Sequence, residues 1–165
     1  MELTIAEIAI RLVLAMVLGS ILGTERVFAH KTAGIRTYAL VSMGSALFVI
    51  ISQVVSNSYL SQGFTNFDML RMAAQVVVGI GFLGAGLIIF RGSRVTGLTT
   101  ASGLWVAAGI GMAVGFGLYG AAIVAAVLTL FIFIILWFIE NKLKKTKPYE
   151  KTDLECSECG REIEK

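Results

Sequence analysis

Charged side chains are scarce in this chain, and those beside its long apolar runs fall into a few groups. Glu7 and Arg11 lie four residues apart, acid before base, the order that favours an ion pair on one helical face. Asp68, Arg71 and Gln75 also follow helical spacing. Asp68 suits a helix cap, Arg71 can reach headgroups, and Gln75 continues a polar face one turn deeper. Glu25, Arg26, Arg36 and Thr37 flank one loop, while Arg91, Arg94, Thr99 and Thr100 flank another. A helix that begins beside such arginines presents unpaired N–H groups and a positive dipole end, which favour an anion or a carboxylate. Mg²⁺ is usually held by carboxylates and waters, and Glu25 is the only carboxylate in these two loops. A selective magnesium path is therefore poorly supported by local charge.

No catalytic constellation accompanies these groups. The single histidine, His30, sits in a basic loop, and no Ser/His/Asp set, His/Glu metal motif or phosphate-binding motif is present. The chain reads as non-enzymatic, and no cofactor follows from it. Cys156-Ser-Glu-Cys159-Gly160 is half of a four-thiolate zinc site, so two tails together could complete one. A redox pair and idle reduced thiols are the alternatives.

The elements that must position these residues are membrane spans. Of the 165 residues 56% are hydrophobic and 15% charged, and the mean hydropathy is +0.82, which makes the bilayer the solvent. Five apolar runs, near Ile5–Leu22, Ala39–Val55, Met72–Phe90, Thr99–Gly115 and Leu118–Ile139, are each long enough to cross roughly 30 Å of hydrocarbon as a helix. Their continuity excludes the alternating pattern of barrel strands. Nothing basic precedes the first run and no convincing small-residue cleavage site follows it, so it reads as a span and not as a signal peptide. Positive residues gather in the first and third loops and in the tail, whereas the second loop has only Arg71. By the positive-inside rule the N-terminus lies outside and the C-terminus inside, which requires an odd number of spans. The net charge of +3 thus reflects membrane orientation and not nucleic acid. Residues 1–141 form the transmembrane domain, and 142–165 a basic cytoplasmic tail drawn to anionic lipid.

Small residues recur every fourth position: Ala15, Gly19 and Gly23; Gly103, Ala107, Gly111 and Gly115; Gly117, Ala121 and Ala125. Such rows let helix backbones approach closely, within one subunit or between two copies in a homodimer. The run Gly79-Ile-Gly81-Phe82-Leu-Gly84-Ala-Gly86 lies inside an apolar span and reads as a locally soft helix.

These residues resemble the membrane domain of the MgtC/SapB family. The matching stretches run in the family's order from Gly19-Ser-Ile-Leu-Gly23-Thr-Glu25-Arg26 through Ala33-Gly34-Ile-Arg36-Thr37 and Gln75-Val-Val-Val-Gly79-Ile-Gly81-Phe82-Leu-Gly84-Ala-Gly86 to Gly97-Leu-Thr99-Thr100-Ala101 and Leu104-Trp105. The resemblance implies a multi-pass protein of a prokaryotic plasma (inner) membrane, linked to magnesium homeostasis and adaptation to acid stress. It further implies regulation of a membrane partner, the proton-translocating ATP synthase among them. The family has also carried a magnesium-transporter label, so a small Mg²⁺ or other ion transporter is the alternative. Long members add a soluble C-terminal domain that this short form lacks, and Val27 and Asp68-Met69 depart from the family's pattern. The polar set that transfers is Glu25, Arg26, Arg36, Thr37, Asp68, Arg71, Thr99 and Thr100, with Glu25 and Arg36 expected to pair across the first loop.

Overall fold

The computed structural model describes residues 3–62, 68–92 and 94–146. Among them, five helices are long and apolar enough to cross a membrane. They are α1 (Ile5–Phe28), α2 (Ile35–Ser61), α3 (Leu70–Leu87), α4 (Leu98–Gly115) and a fifth span over Tyr119–Ile139. The fifth is built from α5 (Tyr119–Phe131), a π turn (Ile132–Leu136) and the start of α6 (Trp137–Thr146). The helices outrun the apolar stretches in the sequence. Glu25 and Arg26 are still helical at the end of α1, because a backbone ladder continues through polar residues once tertiary packing holds it.

A β-hairpin that hydropathy does not reveal joins α3 to α4. Strands β1 (Ile89–Arg91) and β2 (Arg94–Thr96) pair antiparallel, with Ile89 opposite Thr96. The third apolar run therefore ends as helix at Leu87, short of Phe90. Gly97 follows the hairpin with φ of +92°, and a Cβ there would overlap the Leu87 carbonyl. Only glycine allows both that left-handed backbone and that close return.

The core centres on α4, which touches each of the other four spans. Gly103, Ala107, Gly111 and Gly115 are all buried along it. A Cβ at Gly111 would overlap the Ser42 carbonyl of α2, and one at Gly115 would lie 2.9 Å from the Ala46 carbonyl. From α1, a Cβ at Gly19 would come within 2.6 Å of the Tyr38 carbonyl, and one at Gly23 within 2.6 Å of Ile35 Cα. Helix α2 thus meets a glycine face on α1 and another on α4 at nearly backbone-to-backbone distance. On α5 the buried face is Ala122, Ala126 and Thr129, one position on from the row Gly117, Ala121, Ala125, of which Ala121 is exposed.

Helix α3 packs differently. Its single buried residue is Ile80, and nothing lies within 4 Å of a Cβ built at Gly79, Gly81 or Gly86, while Gly84 meets the Ala101 methyl at 3.7 Å. An apolar groove of about 470 Å³ separates it from α2, lined by Leu40, Gly44, Phe48, Gln75, Gly79 and Leu83 among others. The hydroxyl of Ser52 donates to the Met69 carbonyl at 3.0 Å and ties the start of α3 to α2.

Candidate functional site: a polar seam closed by an arginine at each end

One side of α2 carries Tyr38, Ser42, Ser45, Val49, Ser52 and Ser56, spaced by four and three residues alternately, and all six are buried. In a membrane span this is a hydroxyl seam along the bundle interior. Ser45 back-bonds to the Val41 carbonyl at 2.8 Å and Ser52 reaches α3, whereas the Ser42 and Ser56 hydroxyl oxygens are buried without a hydrogen-bond partner among the described residues. Serine carries no charge and its i, i+3/i+4 recurrence is easily overlooked, yet that spacing was the readable signal.

At one end the seam meets Arg26. The side chain is 3% exposed, its guanidinium carbon stands 3.5 Å from the centre of the Phe133 ring, and its Nε donates to Glu25 Oε2. Neighbouring residues on a helix do not normally face each other. Here the Glu25 carboxylate folds back onto the next side chain, while Phe133, from the π turn, covers the cation. Gly103 makes the arrangement possible, since a Cβ there would lie 2.5 Å from both Phe133 Cζ and the Tyr38 hydroxyl. That hydroxyl donates to the Thr100 carbonyl at 3.2 Å, in the first turn of α4. Tyr38→Phe should therefore cost about 1 kcal/mol, readable as a lower midpoint of thermal unfolding in detergent.

The expected pairing of Glu25 with Arg36 is not what forms. The Glu25 carboxylate is taken by Arg26, and Arg36 points outward at the start of α2, with Thr37 and Thr99 exposed around the same end. The loop from Ala29 to Gly34 returns α2 against α1 with Arg26 turned inward and Arg36 outward. Arg91 and Arg94 lie in the hairpin strands.

At the other end the seam meets Arg11, which turns to α2 and α4 and not to Glu7. Its Nη1 donates to Gln53 Oε1 at 3.0 Å and to the Gly115 carbonyl at 2.7 Å, where it caps the negative end of α4. Its Nε is buried and unpartnered among the described residues. Glu7 instead forms a capping box with Thr4 at the start of α1. A pocket of about 280 Å³ opens here between Leu3, Glu7, Arg11, Gln53, Asn57 and Met69. Asp68 accepts from the Leu70 N–H at 3.0 Å, as a cap does, and Arg71 and Gln75 are exposed on α3. Asp68, Arg71 and Gln75 thus belong to the far end from Glu25, Arg26 and Thr100, and the polar residues divide into two clusters. Among the described residues no group of three or more His, Cys, Asp or Glu side chains could hold a metal ion. Cys156 and Cys159 lie outside the described residues.

Electrostatically, the seam is closed by a fixed guanidinium at each end. Each has a protein acceptor, and the single carboxylate at the Arg26 end is already engaged. A Mg²⁺ at this carboxylate would share it with the Arg26 guanidinium, which opposes its charge.

A family model described as the MgtC family matches residues 12–142, which hold four of the spans whole and the first from Leu12 onward. The chain belongs to the MgtC family. Among its relatives, the "Putative magnesium transporter YhiD" of Escherichia coli strain K12 is 46% identical over 127 residues, 77% of this chain and 59% of that protein. Protein MgtC of Salmonella typhimurium strain 14028s is 43% identical over 121 residues, 73% of this chain and 48% of the relative. Protein MgtC of Brucella abortus strain 2308 is 42% identical over 113 residues, 68% of this chain and 44% of the relative. This MgtC-family chain therefore spans about half the length of these relatives. No solved structure matches it. Membership in the family together with the five apolar helices makes this a multi-pass membrane protein.

Proposed function

We propose that this MgtC-family chain is a non-catalytic regulator in the plasma (inner) membrane of a prokaryote, serving magnesium homeostasis and adaptation to stress by docking on a membrane partner. In this reading the Arg26 end faces the cytoplasm, with the N-terminus outside and the basic tail inside. The observation that carries it is the Glu25–Arg26 pair, in which Arg26 is buried on the Phe133 ring and engages the carboxylate. A conduit for Mg²⁺ needs carboxylates open to a water-filled path, whereas this carboxylate serves a neighbouring cation. Helix α3 supports the docking half of the reading, because most of its length is uncovered: Phe82 is 83% exposed and Gly79, Gly81 and Gly86 face open space. A partner helix could approach such a face closely. The proton-translocating ATP synthase, implied by the family resemblance, is the partner to examine first.

The test is photo-crosslinking from position 82 in cells starved of magnesium, followed by purification in lipid discs. A heterologous membrane protein crosslinked at Phe82, and lost when Gly79→Leu fills the face, is the expected result. Adducts formed only with a second copy of the chain would overturn the regulatory reading. Orientation is read separately: a cysteine at Lys151, in a background without Cys156 and Cys159, should resist impermeant reagents in intact spheroplasts and react after lysis.

The competing reading is a small transporter for Mg²⁺ or another ion, favoured by the name of the E. coli relative and by Gln75 beside the groove between α2 and α3. It requires flux, which the regulator does not.

A further inference from the structure

A second groove, of about 550 Å³, runs beside the Arg26 end between α1 and the fifth span. Its lining includes Ile21, Thr24, Glu25, Phe28, Ile134 and Trp137. The polar and aromatic members sit toward the membrane surface, while Ile21 and Ile134 lie about a turn deeper on their helices. Phe28 is 80% exposed and Trp137 51% exposed, so two aromatic faces are available beside a carboxylate. The wall opposite Glu25 is the π turn Ile132–Leu136, an irregularity that recurs at functional sites. It leads directly into Trp137.

We propose that this groove binds a phospholipid whose headgroup carries a primary ammonium. A carboxylate offers about four acceptor positions, and the Arg26 Nε–H occupies one of them. An ammonium placed between Glu25 and the faces of Phe28 and Trp137 gains a charge-assisted hydrogen bond and cation–π attraction where water is scarce. The deeper isoleucines suit an acyl chain. Lys142, exposed on α6 about 1.4 turns beyond Trp137, places positive charge nearer the membrane surface. A purely anionic headgroup would meet the Glu25 carboxylate with the wrong sign. The order of the lining, charged and aromatic at the rim and aliphatic below, is that of an amphiphile and not of a uniformly apolar helix. This site goes beyond the regulatory reading and can stand or fail without it.

The test is native mass spectrometry of the delipidated full chain in detergent, titrated with phosphatidylethanolamine, phosphatidylcholine and phosphatidylglycerol. Wild type should retain phosphatidylethanolamine in preference to both others, since the trimethylammonium group of phosphatidylcholine cannot donate to Glu25. Trp137→Leu leaves the Glu25–Arg26 pair intact and should weaken phosphatidylethanolamine binding about tenfold. Glu25→Gln, where it folds, should shift the preference toward phosphatidylglycerol by leaving Arg26 uncompensated. Equal retention of the three lipids, or a Trp137→Leu protein that binds like wild type, would overturn the proposal. So would a photo-crosslinker at Ile134 that captures protein and not lipid.

Discussion

Glu25→Gln should destabilise the protein by about 3 kcal/mol, whereas adding Arg26→Met to the same chain should recover most of that loss. Arg26 is 3% exposed and lies on the Phe133 ring, so removing its carboxylate partner leaves a cation in low dielectric with little to compensate it. The amide of glutamine keeps the shape and loses the charge, which isolates electrostatics from packing. In the double variant both charges are gone, and a methionine at position 26 can still fill space against Phe133. The residual cost is then the lost cation–π contact, about 1 kcal/mol. Equilibrium unfolding in micelles for the wild type, both single variants and the double variant closes the cycle. Strictly additive losses would mean that Glu25 and Arg26 do not act as a unit, and the description of this end as a closed ion pair would fail.

The glycines should separate into two classes when each is replaced by alanine. Gly111→Ala and Gly19→Ala press on α2 from α4 and from α1, against the Ser42 carbonyl and against the Tyr38 carbonyl at 2.6 Å. Backbone cannot rotate away as a side chain can. Overpacking of this kind costs about 1–3 kcal/mol, and these positions should fall at the upper end. Gly79→Ala and Gly81→Ala meet nothing within 4 Å. They should change stability by less than about 0.5 kcal/mol, or raise it slightly through the better helix propensity of alanine. Thermal unfolding of the four variants side by side reads the difference. A large loss at Gly79 or Gly81 would show that α3 is covered in the membrane.

Much of the fold was legible because hydropathy needs no partner: each span is a continuous apolar run, and five runs gave five helices. What hydropathy could not supply was contact. The spacing of Gly103, Ala107, Gly111 and Gly115 was visible, but equal spacing on α5 picked Ala121 where Ala122 is buried, because a row of small residues says nothing of which side faces a neighbour. The hairpin was hidden by Ile88, Ile89 and Phe90, whose apolar character extends the preceding run although the helix has ended. At the site, residue types pointed to Glu25 and Arg36, yet the partner of Glu25 is Arg26, which depended on how a short loop turns α2 back on α1. The serine seam was missed for another reason. Attention to charge passes over hydroxyls, and only burial gives Ser42 and Ser56 their significance.

The decisive measurement is Mg²⁺ influx into liposomes containing the folded protein and a trapped Mg²⁺-sensitive dye, with Arg26→Gln as the matched variant. With Arg26 and Arg11 closing the two ends of the seam, wild type should give no influx above empty liposomes at any magnesium gradient or membrane potential. Saturable influx through the wild-type protein, altered by Arg26→Gln, would contradict a closed, non-conducting bundle and make the chain a transporter.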